Sequence, residues 1–280
     1  MIEILAAGPL ATVQDLGRPG YAALAVPRAG AFDRGSLRRA NRLVGNPDEY
    51  AGLEITLGGL AARFADAATV ALTGAACPGP DTGVAISVRA GTVLRLGVPR
   101  RGLRTYLAVR GGIDVAGVLG SRSTDTLSGL GPSPLRAGDR LPFGTTAAGS
   151  APVSGAVVPS SAVVPSSGPA TLHVRTGPRD DWFADTDALF TTTWTVRADS
   201  DRVGLRLDGT PLRRRTDGEL PSEATLPGAL QVPPDGRPIL FGPDAPVTGG
   251  YPVIAVVATR DLDAAAQLRP GDSVTLVRLP

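Results

Sequence analysis

Short runs of alternating or uniformly apolar residues, each closed by Gly, Pro, Asn or Asp, recur along this 280-residue chain. A period of two bounded by turn residues predicts strands. They are expected over 67–72, 83–88, 92–96, 105–109, 171–175, 193–197, 253–258 and 273–278. The even spacing of short strands fits a mainly β protein of the barrel type. Helices are few. Asp33 can cap one over 36–44, with Gly45-Asn46-Pro47 as its stop. Asp261 or Asp263 can open a short one that runs to Leu268, and a third is expected over 180–190.

The pattern is interrupted at 147–169, where Ala, Ser, Val and Pro follow one another without a charge. Such a stretch reads as a linker or long exposed loop, leaving a first half over 1–146 and a second over 170–280. The halves echo each other in order. Gly8-Pro9 answers to Gly177-Pro178, Gly52-Leu53-Glu54-Ile55 to Gly204-Leu205-Arg206-Leu207, and Gly111-Gly112 to Gly249-Gly250. Leu-Arg-x-Gly-Asp then closes each half, at Leu135 to Asp139 and Leu268 to Asp272.

Residues 228–253 carry Pro233, Pro234, Pro238, Pro243, Pro246 and Pro252 among five glycines. Fixed φ at the prolines and free φ at the glycines exclude a helix there. Gln231, Asp244, Thr248 and Tyr251 sit beside these turns, which either hold them toward a ligand or simply connect strands.

Composition narrows the chemistry. All 28 basic residues are arginine, which excludes a Schiff-base lysine, a biotin-carrying lysine and a lysine-containing phosphate loop. Net charge is only +2 and dispersed, and aromatic residues make up 4%, so neither a duplex-binding stripe nor a base-stacking platform is present and nucleic acid is not an expected partner. The one dense cluster is Arg213-Arg214-Arg215, a solvated loop or a contact for an anionic partner. Cys77 is the sole cysteine and His173 the sole histidine. Intramolecular disulfides and clusters of soft metal ligands are therefore excluded. No apolar run spans a bilayer and no export signal is recognisable, so the expected location is the cytoplasm, off the membrane.

Longer motifs carry a resemblance. Ala11-Thr12-Val13-Gln14-Asp15-Leu16-Gly17-Arg18-Pro19-Gly20-Tyr21, Val26-Pro27-Arg28-Ala29-Gly30-Ala31-Phe32-Asp33 and Ala40-Asn41-Arg42-Leu43-Val44-Gly45-Asn46 follow one another near the N-terminus. Tyr106 to Ile113, Gly120-Ser121-Arg122-Ser123-Thr124 and Ser200 to Leu207 come next. With residues 228–253, these resemble the biotin-dependent carboxyltransferase family over nearly the whole chain. That family includes the C-type subunit of 5-oxoprolinase, also called allophanate hydrolase subunit 2, the antagonist of a kinase inhibitor, and the carboxyltransferase domain of urea carboxylase.

The resemblance implies two tandem cyclophilin-like β-barrels and a site facing a partner subunit. It implies one component of an ATP-dependent 5-oxoprolinase that opens 5-oxoproline to glutamate, a component inactive alone. Its partners would be an allophanate hydrolase subunit 1-like protein, which is the B-type subunit of 5-oxoprolinase, and the A-type subunit of the same enzyme, with ATP and Mg²⁺ bound in the assembled complex. Two alternatives stay open: a regulatory protein that sequesters a kinase-inhibitor-like partner, and transfer of a carboxyl group from carboxybiotin to urea or a related amide. Family members often carry Lys after Thr-Gly-Gly-Tyr-Pro, whereas Val253 stands here, which counts against biotin chemistry.

Candidate residues follow from donor and acceptor types. Arg18, Arg110, Arg122, Arg202 and Arg206 offer paired donors for a carboxylate or phosphate. Asp15, Asp33, Glu54, Glu223 and Asp244 can orient a metal, an amide or water, and Gln231, Asn41 and Asn46 can recognise an amide. Gln14, Asp15, Arg18, Arg122, Gln231 and Asp244 are the expected catalytic set. Asn41, Arg110, Arg202, Glu223, Thr248, Gly249, Gly250 and Tyr251 are expected to bind substrate, and no metal site is expected. Each has a bland counterpart: a helix cap for Asp33, a turn for Asn46, an ion pair near Asp201 for Arg202. His173 reads as a strand residue and Cys77 as a small buried side chain.

Overall fold

Arg104–Val109 is buried at every position, which requires cover on both faces of its sheet. The computed structural model, which describes residues 1–145, 168–216, 218 and 220–279, supplies that cover. In chain order the first part runs β1 (Ile2–Ala7), β2 (Leu10–Gln14), α1 (Arg34–Leu43), β3 (Gly52–Thr56), β4 (Leu60–Phe64), β5 (Ala68–Gly74), β6 (Ala85–Val88), β7 (Val93–Arg95), β8 (Arg104–Val109) and β9 (Arg140–Leu141). These strands form a four-stranded sheet, β7-β4-β1-β9, and a five-stranded sheet, β2-β3-β8-β5-β6. Ile2, Ile4, Val13, Leu53, Ile55, Phe64, Val70 and Leu107 share one apolar core. Ala40, Leu43 and Val44 of the α1 region cover Ala71 and Ala108 on β5 and β8, so β8 has no wet face.

The second part runs β10 (Ala170–Thr176), α2 (Ala188–Thr191), β11 (Trp194–Val196), β12 (Gly204–Asp208), β13 (Glu223–Ala224), β14 (Ala229–Gln231), β15 (Ile239–Phe241), β16 (Thr248–Gly249), β17 (Val253–Val257), α3 (Leu262–Ala265) and β18 (Ser273–Arg278). Seven of them close a barrel in the order β10-β17-β14-β15-β12-β11-β18. Parallel pairing of Ala170 with Val274 through Val174 with Arg278 completes the ring, and closure leaves these strands no free edge. Alternate residues point inward, such as Leu172 and Val174, Leu205 and Leu207, and Val274 and Leu276.

The mainly β reading and all eight expected strands are present, each within two residues of its expected start. The helix capped by Asp33 is present too: its side chain accepts from Ser36 N at 2.8 Å and Ser36 Oγ at 2.7 Å. The helix expected over 180–190 is broken into a 3-10 turn, Asp180–Trp182, and the single turn of α2. Phe183 is buried and bridges to Arg214, and Ala184 N donates to Arg213 O. Asp185 then takes Asp187 N and Ala188 N on its side chain. Cross-chain pairing wins here over local helix propensity.

By internal contacts the chain divides into two units. One is Met1–Arg18 with the described residues of Ala29–Val163; the other is Pro19–Arg28 with those of Val164–Pro280. The expected linker over 147–169 lies outside the described residues up to 167.

The echoing motifs build matching local structure. Arg136 N donates to Asp139 Oδ2 at 2.7 Å, and Arg269 N to Asp272 Oδ2 at 2.8 Å. The glycine between them has φ +96° at Gly138 and +89° at Gly271, a conformation that favours glycine. Gly52 and Gly204 each open a strand where a Cβ would come within 2.8 Å of the neighbouring strand.

Candidate functional site

In the first unit the turn after β2 converges on one carboxylate. Asp15 Oδ1 accepts from Gly17 N at 2.7 Å and from the hydroxyls of Ser121 and Ser123. Its Oδ2 accepts from Arg122 N at 2.6 Å. Four donors occupy this buried carboxylate, so Asp15 positions the 121–123 segment. The guanidinium of Arg122 faces outward, on Asp114 Oδ1 at 2.7 Å and Val115 O at 2.8 Å. It borders a hollow of about 230 Å³ with Gly111, Gly112 and Tyr50.

Arg18 is fully buried, and its Nη2 and Nε point at the carbonyls of Ser123 and Val118. Gln14 Nε2 donates to Thr124 O at 2.9 Å and Thr12 Oγ1 at 3.1 Å. Gln14 Oε1, Arg18 Nη1 and Thr124 Oγ1 are buried with no hydrogen-bond partner among the described residues. Gln14, Asp15, Arg18 and Arg122 are thus brought together around residues 118–124.

A second buried polar group joins α1 to the sheet. Tyr106 OH donates to Glu54 Oε2 at 2.7 Å and accepts from Asp33 N at 2.8 Å. Phe32 N also donates to Glu54 Oε2, and Arg104 Nε lies 3.4 Å from Glu54 Oε1. Burial first, then the charge of Glu54, pushes the Tyr106 phenol well above its usual range. Burial likewise lowers the Arg39 guanidinium, against the pull of Asp33. Composition and motif reasoning missed Tyr106, Arg104 and Arg39. The available signal was a phenol next to the apolar run Leu107 to Val109, because a buried tyrosine needs a partner for its hydroxyl.

Asn41 and Asn46 brace loops. Asn41 Nδ2 donates to Tyr50 O at 2.7 Å, while Asn46 joins Asn41 Oδ1, Val109 O and Gly111 N. Arg110 borders a separate hollow with Thr69, Ser87 and Phe143. Cys77 is partly buried, with Sγ 3.2 Å from Thr105 Oγ1. Among the described residues no group of three His, Cys, Asp or Glu could hold a metal ion.

In the second unit the Pro- and Gly-rich segment proves to hold three short strands, β14, β15 and β16. Gln231 Nε2 donates to Tyr251 O at 2.9 Å, and Gly249 leaves the room this amide needs, since a Cβ there would lie 2.5 Å from Nε2. Gln231, Gly249, Gly250 and Tyr251 are therefore one constellation. Thr248 is exposed on β16, which pairs with β13 and so with Glu223. Arg179 binds Glu223 and holds its carboxyl below the usual range. Arg202 and Asp244 pair with each other, both buried, so the partner of Arg202 is across the barrel loops rather than near Asp201. Arg206 faces Asp199 at 3.7 Å, and His173 Nδ1 lies 2.9 Å from Asp261 Oδ2.

Tyr251 also walls a cavity of about 960 Å³ with Leu212, Pro234, Pro252, Arg213 and Arg214, all of them in the second unit. The Arg214 guanidinium lies 5.9 Å from the centre of the Tyr251 ring, within cation–π range.

Known proteins are similar to this chain in sequence and in fold. The carboxyltransferase domain, subdomain A and B, matches residues 24–278. The C-type subunit of 5-oxoprolinase from Escherichia coli K12 is 40% identical over 99% of this chain and 91% of its own length. That of Haemophilus influenzae is 33% identical over 98% and 90%. Among solved structures, the urea amidolyase of K. lactis superposes with a TM-score of 0.91 at 31% identity, covering 100% of this chain but only 19% of the larger one.

Proposed function

Because the chain belongs to the carboxyltransferase domain family, subdomain A and B, we propose that it is the C-type subunit of an ATP-dependent 5-oxoprolinase, opening 5-oxoproline to glutamate together with partner subunits. The observation that carries this reading is the 40% identity to a C-type 5-oxoprolinase subunit over almost the full length of both chains. Urea amidolyase relatives are matched over a small share of their length, 17% for that of Lachancea kluyveri.

A lactam carbonyl is a poor electrophile, and phosphorylation of its oxygen by ATP makes ring opening feasible. Arginine forks suit the charge that develops on such a phosphoryl group, and this chain has no lysine to do so. The protein works in the cytoplasm with an allophanate hydrolase subunit 1-like protein and the A-type subunit of 5-oxoprolinase, and Mg²⁺ enters with the nucleotide. Among the described residues, no helix is long and apolar enough to cross a membrane.

Carboxyl transfer is the second reading, favoured by the urea amidolyase superposition. Against it stands Val253, buried with Ala229 and Phe241 at the start of β17. It offers no cation to a carboxybiotin, and no step through biotin is derived.

The test is reconstitution. The three subunits with Mg²⁺, ATP and 5-oxoproline should release glutamate, and this chain alone should not. Glutamate release from the isolated chain, or none from the assembled complex, overturns the reading. Carboxylation of urea by a biotin carboxylase fusion would establish the alternative.

A further inference from the structure

Arginines of the second unit are, as a rule, neutralised within the chain. Arg179 holds Glu223, Arg197 holds Asp199, Arg202 holds Asp244 and Arg237 holds Asp208. Arg213, Arg214 and Arg215 break the rule, since no ion pair joins any of them to a carboxylate among the described residues. Their backbone is nonetheless ordered. Ala184 N donates to Arg213 O, and Arg215 N to Trp182 O at 2.8 Å. These cations are mounted on a short ladder, not a loose tail.

Two of the three border the 960 Å³ cavity. Arg214 Nη2 donates to Val232 O at 2.6 Å, which fixes the fork, and its Nε is buried with no partner among the described residues. Arg213 is exposed above it. Beside Arg214 stands Tyr251, 45% exposed, anchored through its carbonyl by Gln231, with the Arg214 guanidinium 5.9 Å from its ring centre. Leu212, Pro234 and Pro252 complete an apolar lining. Among the described residues the one carboxylate on the rim is Asp235, which already accepts from Arg237 N at 3.1 Å.

Charge and size then select the ligand. Guanidinium forks with no ion pair among the described residues call for an oxyanion with several acceptor oxygens. A part-exposed aromatic ring beside a guanidinium calls for a planar ligand ring. Cavities of roughly 300–1,000 Å³ hold ligands of drug size, well above a single five-membered lactam. We propose that this cavity binds a nucleoside triphosphate, its base against Tyr251 and its phosphates on Arg213 and Arg214. The choice of ATP rests on the 5-oxoprolinase reading; the charge and shape of the cavity do not.

Titration of the purified full chain with Mg-ATP, followed by calorimetry, tests this without partner subunits, so failed glutamate release in reconstitution leaves the outcome readable. Saturable binding should weaken at least tenfold in the Arg213→Ala/Arg214→Ala variant, fall several-fold in Tyr251→Leu, and decline steeply with added salt. Arg213→Ala alone removes only an exposed side chain, and it should still weaken binding severalfold if the double variant fails to fold. Absence of ATP binding by the wild-type chain, equal binding by folded variants, or displacement of ATP by 5-oxoproline would each overturn the proposal, the last by giving the cavity to the lactam.

Discussion

Arg202 and Asp244 meet through two parallel hydrogen bonds of 2.9 Å, Nε to Oδ2 and Nη2 to Oδ1, with both side chains out of solvent. Losing one partner of such a pair strands a buried charge, at a cost of about 3–5 kcal/mol. Asp244→Ala should therefore lower stability in urea by that amount. Arg202→Met/Asp244→Leu should recover much of it. A single variant within about 1 kcal/mol of wild type would return this pair to the groups free for chemistry.

The phenol of Tyr106 stays neutral in the folded protein above its ordinary range, so its contribution to stability has a defined sign. It is fully present below the unfolded tyrosine value of about 10 and is lost as pH rises from there toward the higher folded value. Tyr106→Phe should flatten this alkaline decline. At neutral pH it should cost about 1–3 kcal/mol, because Asp33 N and Glu54 each lose a buried partner. Thermal melts between about pH 7 and 11 read both effects, and an unchanged alkaline slope argues against them.

The two Leu-Arg-x-Gly-Asp turns supply a matched pair. Asp139→Ala and Asp272→Ala each remove one carboxylate-to-backbone bond and should each cost about 1 kcal/mol. Gly138→Ala and Gly271→Ala should cost a similar amount, through the left-handed φ and not through crowding, since no described residue would lie within 4 Å of the added Cβ at either position. Denaturant midpoints decide; alanine at either glycine without effect removes the conformational argument.

Gly249→Ala places a methyl group where the Gln231 amide now sits. The amide should swing away and release Tyr251 O, at about 1 kcal/mol in stability. Gln231→Ala should release the same carbonyl without crowding. If Tyr251 must be held still, both variants lower glutamate release by the reconstituted complex to a similar degree. Loss in only one of them would separate crowding from the hydrogen bond.

Legibility in the sequence followed the physics of each element. Strands with clean alternation, such as β10 and β18, could be read directly. The strands β13 to β16 could not, because two or three residues carry no period and the prolines around them look like loop. Asp33 was legible as a cap because its role is local. The helix over 180–190 failed for the opposite reason: Phe183 and Ala184 answer to Arg214 and Arg213, far along the chain. The candidate residues divide in the same way. Residue type placed Asp15, Asp244 and Asn41 among groups able to do chemistry, but only their neighbours reveal that these groups are already engaged. Arg214 was visible as a charge and not as a wall, since its relation to Tyr251 is made by folding.

The grouping of Pro19–Arg28 with the second unit makes the chain harder to divide than its repeat suggests. A gene cut inside 147–169 would give a C-terminal piece from which the Pro19–Arg28 segment of its own unit is missing. That segment travels with the other fragment, so the pieces should regain native stability only when produced together, and neither is a freely portable module.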